Sequence, residues 1–269
     1  QLSDEIDRRP AHALHPVDEN NIPAEILPFI SAINRLLGRV VQTLQSQRRF
    51  IADAAHELRS PLTALSLQTE MLADMDMSEP ARQQLKTLKM GIGRSRNLLE
   101  QLLTLAKIQS GTDVTVSKVS VRDTFRTVLE DLIPLAHAKH IDIGLADSLD
   151  AQINASELDL KILIRNLVDN AIRYSPEGGR VDFSVRQSPH QVVIQISDSG
   201  PGIAPEDSSR VFDPFYRSLG TEQSGSGLGL SIVKAIADKI DATIQLKYTQ
   251  PESQSGLTVI VTFPIPDQV

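Results

Sequence analysis

Residues 50–65 read Phe50-Ile51-Ala52-Asp53-Ala54-Ala55-His56-Glu57-Leu58-Arg59-Ser60-Pro61-Leu62-Thr63-Ala64-Leu65. Ile51, Ala55, Leu58, Leu62 and Leu65 recur at spacings of 4, 3, 4 and 3, the apolar stripe of a coiled coil or helical bundle. His56 stands one residue off that stripe, so it points sideways from the seam, where another domain can meet it. Pro61 has no N–H and its ring crowds the carbonyl four residues back, so the Glu57 carbonyl loses its helical partner and the helix can bend just below His56. Two readings of the stretch stand together. One helix passes through Pro61 and presents a reactive His56, or Ser60 caps one helix and Pro61 starts the next, with His56 a solvated residue near a helix end. A zinc site fits poorly: His56-Glu57 opens like the metalloprotease motif, but Ser60 stands where its second histidine belongs.

Upstream, Ile26, Phe29, Ile30, Ile33, Leu37, Val40, Val41 and Leu44 continue the three-and-four spacing, which predicts a long helix from about Pro23 through His56 to about Met75. Asp74 to Pro80 reads as a turn in which Ser78 can cap and Pro80 suits a first helical turn. A second helix carries Leu85, Leu88, Ile92, Ser95, Leu99, Leu102 and Ala106 on one face. Two such helices form an antiparallel hairpin that buries little alone, so a dimeric four-helix bundle is the expected completion. Residues 1–22 are polar and broken by Pro10 and Pro16, and His12 and His15 in that stretch are given no role.

Beyond Ser110-Gly111-Thr112-Asp113 the pattern changes. Ser120 to Asp123 is a capping box opening a helix to about Lys139, with His137 and His140 placed to complement its dipole. Ile141 to Leu145 reads as a strand, and a further helix spans about Ser156 to Tyr174. Alternation at Val181/Phe183/Val185, Val192/Ile194/Ile196, Ile244/Leu246/Tyr248 and Leu257/Val259/Val261 predicts four strands, interrupted by a helix from Leu228 to Ile240. Antiparallel strands with helices segregated between them imply an α/β sandwich.

The 269 residues suffice for about two domains. A net charge of −7 argues against a nucleic-acid partner. The absence of cysteine excludes disulfides and thiolate metal sites. No run reaches the ~18 apolar residues of a membrane span. The first residue is not methionine and no signal-like segment opens the chain, so a fragment of something longer is expected.

Three segments carry candidate phosphate chemistry. Asn166, Asn170 and Arg173 share a helix face away from the apolar stripe, with Tyr174 beside them, offering oxygens to a hydrated Mg²⁺ and donors to phosphates; solvated asparagines look the same. Asp198-Ser199-Gly200-Pro201-Gly202-Ile203 follows a strand and can pair a carboxylate with an exocyclic amine, though these are also ordinary turn residues. Ser224 to Ser231 places Gly225, Gly227 and Gly229 at a helix N-terminus, an anion site by its free N–H groups, or else a flexible linker. It is neither a dinucleotide fingerprint nor a Walker loop, lacking the βαβ unit of one and the Gly-Lys-Ser/Thr ending of the other.

These segments, with Phe212-Asp213-Pro214-Phe215-Tyr216-Arg217 between the last two, stand in one order. In that order the chain resembles the bacterial two-component sensor histidine kinases from about residue 20 to its end. His56 to Thr63 is similar to their H box, Asn166 to Tyr174 to the N box, Asp198 to Ile203 to the G1 box, Phe212 to Arg217 to the F box and Gly225 to Gly229 to the G2 box. The resemblance implies residues 1–45 as a partial HAMP linker and signalling helix, 46–112 as a dimerisation and histidine phosphotransfer domain, and 113–269 as an ATP-binding domain of the GHKL, or Bergerat, type.

It further implies ATP and Mg²⁺ as cofactors, with Asp198 on the adenine amino group and Asn170 on the metal. Asn166, Arg173, Tyr174, Gly200, Gly202, Phe215, Arg217, Gly225, Gly227, Leu228 and Gly229 complete the implied ATP site, with a mobile lid over Arg217 to Gly225. His56 would take the γ-phosphoryl group with Glu57 orienting its proton, and pass it to an aspartate on the receiver domain of a response regulator. Ser60 stands where relatives that dephosphorylate their regulator usually carry Thr or Asn. The last glycine box is thin, with only Gly256 and Thr258. The implied setting is a homodimer, the cytoplasmic portion of a bacterial inner-membrane protein whose membrane-spanning sensor half lies upstream. Chaperone- and gyrase-type ATPases share the nucleotide fold but carry a glutamate general base one turn before the magnesium asparagine; Asn166 occupies that position, which favours a kinase.

Overall fold

The computed structural model describes residues 26–109, 116–148, 150–217 and 225–265. Residues 218–224 of the expected lid over Arg217 to Gly225, and His12 and His15, lie outside them.

Helix α1 runs without a break over Leu27–Ala73 with Pro61 inside it. The second-helix alternative at Ser60 is thereby overturned: the helix continues on both sides of Pro61, which withdraws only its own donor from the ladder. Helix α2, Glu79–Gln109, returns antiparallel after a short turn, and Arg82 N–H donates to the Ser78 carbonyl at its start (2.9 Å). Ala55 packs with Leu62, Leu99 and Leu103 between the two helices. Leu58 and Leu65, on the same predicted stripe, are 52% and 46% exposed, so one chain covers only part of the seam.

The second unit is a five-stranded sheet covered by helices. Its elements are β1 (Ser117–Ser120), α3 (Val121–Ala138), β2 (Asp142–Ser148), β3 (Gln152–Ala155), α4 (Glu157–Tyr174), β4 (Arg180–Gln187), β5 (Gln191–Asp198), α5 (Gly229–Lys239), β6 (Thr243–Gln250) and β7 (Ser255–Pro264). Strand order is β2-β4-β5-β7-β6. The expectation of antiparallel strands holds for the last four, but β2 pairs parallel to β4, with Ile143 opposite Val181. The connection from β2 passes through α4, a crossover that returns the chain in the same direction. β1 and β3, which the sequence reading lacked, form a separate antiparallel pair.

Val181, Phe183 and Val185 of β4, Val192, Ile194 and Ile196 of β5 and Val259, Val261 and Phe263 of β7 point into one core with Leu160, Leu163, Ile164 and Leu167 of α4 and Ile232, Val233 and Ile236 of α5. Phe125 of α3 stacks on Phe183. Ser120 and Ser156 cap α3 and α4 through hydroxyls that accept from the N–H of Asp123 (3.0 Å) and Asp159 (3.3 Å). Leu105 and Ile108 at the end of α2 enter this same core, so the hairpin's second helix is anchored in the sheet unit. Among the described residues no helix is long and apolar enough to cross a membrane.

Candidate nucleotide site

A cavity of about 460 Å³ opens between α4, the end of β5, the loop before α5 and the flank of α2, a volume within the range of small-molecule sites. It gathers Asn166, Asn170, Arg173, Tyr174, Asp198, Gly202, Arg217, Gly225, Gly227 and Gly229 from four separate segments of sequence. Gly200, Phe215 and Leu228 lie outside its lining. Gly200 instead supports Asp198, Leu228 is buried beneath the glycine loop, and Phe215 is 56% exposed. His56, Glu57 and Ser60 are exposed on α1 and do not line the cavity.

Asp198 ends β5 and is 6% exposed. Its Oδ1 accepts from the N–H groups of Gly200 (2.8 Å) and Leu257 (3.0 Å), so Oδ2 is the oxygen left for a ligand. Burial raises its pKa above the ordinary carboxylate value, and the Leu257 and Gly200 N–H groups pull it partly back. Gly256 N–H closes the same corner on the Gly200 carbonyl (2.6 Å), and Thr258 shares hydroxyl hydrogen bonds with Ser197 (2.9 Å) and Thr249 (3.0 Å). The thin last glycine box is therefore sufficient to brace the carboxylate.

On α4 the Asn166 Nδ2 donates to the Ile162 carbonyl (2.8 Å), which leaves its Oδ1 as the free acceptor. A Cβ built on Gly229 would sit 3.1 Å from Asn170 Nδ2 and 3.4 Å from Asn166 Oδ1, so the start of α5 meets both carboxamides. Gly227 has φ +72°, and a Cβ there would fall 2.7 Å from the Phe215 carbonyl carbon. Only glycine fits that turn, which exposes its neighbours' N–H groups at the head of α5. Carboxamide oxygens facing helix N–H groups suit a hydrated magnesium ion with a phosphate chain. Among the described residues no cluster of three His, Cys, Asp or Glu exists to hold a metal alone.

Several lining residues escaped the sequence reading. Asp169 accepts from Arg173 Nε (2.6 Å), one helical turn apart. Ile203, Leu230 and Val259 supply apolar wall, and Tyr216, hydrogen-bonded to Asp207 with Arg210 over its ring, supplies an aromatic one. Arg94, Asn97 and Gln101 of α2 close the outer side, and Ser226 donates to Gln101. The only signal for those three was their three-and-four spacing opposite the apolar stripe, which a solvated helix face also shows.

Residues 155–267 match the family model of histidine kinase-, DNA gyrase B- and HSP90-like ATPases, and residues 46–111 match the His kinase A (phospho-acceptor) domain. The swarming motility regulation sensor protein RssA of Serratia marcescens is 34% identical over 260 residues, covering 96% of this chain and 55% of RssA. Sensor protein QseC of Escherichia coli is 39% identical over 225 residues, 82% of this chain and 49% of QseC. The chain thus spans about half the length of the curated relatives it matches. In structure it is similar to the Acinetobacter baumannii histidine kinase AdeS, with a TM-score of 0.56 at 25% identity over 79% of this chain and 98% of that one. Full-length ShkA in complex with AMPPNP shares the fold, with a TM-score of 0.66 at 24% identity over 80% of this chain and 45% of that one.

Proposed function

The chain belongs to the bacterial two-component sensor histidine kinases, and on that premise we propose that it transfers the γ-phosphoryl group of ATP to His56 and then to an aspartate of a response regulator. The observation that carries this reading is the cavity itself, which brings the Asn166/Asn170 pair, Asp198 and the glycine loop together beside a helical hairpin bearing an exposed histidine.

In this assignment Asp198 Oδ2 accepts from the adenine amino group, and the N–H groups around Gly225 to Gly229, with Arg173 and Tyr174, hold the phosphates. Asn170 would hold Mg²⁺, which neutralises charge on the phosphate chain, and Asn166 would join the groups on the phosphates. Catalysis is then mainly positioning and charge neutralisation. His56 Nε2 forms the new bond to phosphorus as the bond to the ADP oxygen breaks. Arg59 Nη1 lies 3.4 Å from His56 Nδ1. Attack requires an unprotonated Nε2, with the ring proton on Nδ1, and we assign the neighbouring Glu57 to take or orient that proton. The exposed Leu58 and Leu65 support a second copy completing a four-helix bundle. We place the domain limits at 46–112 and 113–269, preceded by a HAMP-type linker, and the chain on the cytoplasmic side of a bacterial inner membrane.

Incubation with γ-labelled ATP tests the reading: label on the chain should be base-stable and acid-labile, and acid-stable label would refute it. Ser60 lies one helical turn beyond His56 and is exposed beside it, where its hydroxyl can orient a water on the regulator's phosphoaspartate. Ser60→Ala should slow regulator dephosphorylation by up to roughly a hundredfold with autophosphorylation unchanged, as followed by loss of label from purified phospho-regulator.

A further inference from the structure

Lys139 follows the last residue of α3, and its ammonium reaches across to the C-terminal turn of α4. Nζ donates to the carbonyls of Ile172 (3.0 Å), Arg173 (2.7 Å) and Ser175 (2.6 Å). Three donors meet three acceptors, the full capacity of an ammonium group. These carbonyls belong to the helix end that α-helical bonding leaves unsatisfied, and a cation there also complements the helix dipole. The backbone carbonyl of Lys139 in turn accepts from Gly178 N–H (2.9 Å), so the chain is tied on both sides of Ser175 to Gly178. Burial lowers the Lys139 pKa and the neighbouring Arg173 lowers it further, against Glu177. A cation has thus been taken partly out of water to hold one helix end.

That end carries the phosphate side of the cavity. Arg173 and Tyr174 line it, and the Tyr174 carbonyl lies 2.8 Å from where a Cβ on Gly200 would stand, so the turn also abuts the loop after Asp198. Lys139 does not line the cavity. We propose that Lys139 is a positioning residue for phosphate binding, fixing Arg173 and Tyr174 through the α4 carbonyls without touching the nucleotide. The proposal rests on the reading of this cavity as an ATP site.

Asp198 takes its hydrogen bonds from Gly200 and Leu257 N–H and not from the α4 carbonyls, so the adenine end depends on Lys139 less directly than Arg173 and Tyr174 do. Calorimetry on the full chain with Mg²⁺-ATP and with adenosine therefore distinguishes a positioning role from a structural one. Lys139→Met keeps the apolar stem and removes the donors; it should weaken ATP binding about tenfold or more and change adenosine binding less than about twofold. Lys139→Arg retains donors toward the carbonyls and should recover most of the ATP affinity. If Lys139→Met does not fold, Lys139→Gln, shorter and with fewer donors, is judged by the same ATP-to-adenosine ratio. Unchanged ATP affinity, or equal losses for ATP and adenosine, would overturn the proposal. A wild-type chain that binds neither ligand would instead overturn the nucleotide reading, and the positioning role with it.

Discussion

The His56→Gln chain should take up no acid-labile label from γ-labelled ATP while binding ATP within about twofold of wild type. Glutamine is near histidine in size and has no nucleophilic nitrogen, so the chemical step is lost without a hole in the packing. His56 is exposed on α1, beside the buried Ala55 and away from the cavity lining, so neither the hairpin seam nor the nucleotide site depends on its ring. Loss of signal is therefore complete in phosphotransfer and small in affinity, which separates a phospho-acceptor from a nucleotide ligand. The chain has six histidines, and His137 and His140 stand near the end of α3, with His190 between β4 and β5. Persistent acid-labile label in the variant would move the acceptor to one of the other five histidines and sink the assignment.

The elements with long, strongly periodic sequences were legible before the structure. α1, α2, α4 and the alternating strands β4 to β7 follow from apolar spacing, because each buries one continuous face. β1 and β3 were not legible: four residues give too few alternations, and their pairing of Ser117 with Ala155 joins segments far apart in the chain. The parallel setting of β2 was hidden for a related reason, since strand direction is decided by the route of the connection and not by the strand's own residues. At the site, Asn166, Asn170, Asp198 and the glycines could be identified as one order of segments, but not Arg94, Asn97 and Gln101, whose presence at the cavity depends on how α2 lies against the sheet unit. Phe215 is a different case: the F-box segment is recognisable, and within it Tyr216 lines the cavity while Phe215 is exposed, with φ +66°.

Asp198→Asn should weaken ATP binding by about two orders of magnitude, measured by calorimetry at neutral pH. An asparagine oxygen can still accept from Gly200 and Leu257 N–H, so the loop keeps its supports. The second position becomes an NH2 group, which faces the adenine amino group donor to donor. A hydrogen bond to a charged group contributes ~1.5–3 kcal/mol, about one to two factors of ten, and the repulsion adds to that loss. The pH dependence supplies an independent check on the same atom. Burial raises the Asp198 pKa, so as pH falls the native carboxyl gains its proton while a free aspartate is still ionised. A protonated Oδ2 donates instead of accepting, so wild-type ATP affinity should be full above the raised pKa and decline as pH falls through it. Folding stability has the opposite sign in that window. The native state binds the proton more tightly than the unfolded chain, so this residue's contribution grows as pH falls from the native pKa toward the unfolded value and is lost as pH rises. Opposed trends in affinity and stability, both absent from Asp198→Asn, identify this one buried carboxyl as their source; a wild-type affinity that stays flat through the acid range would remove Asp198 from the adenine contact.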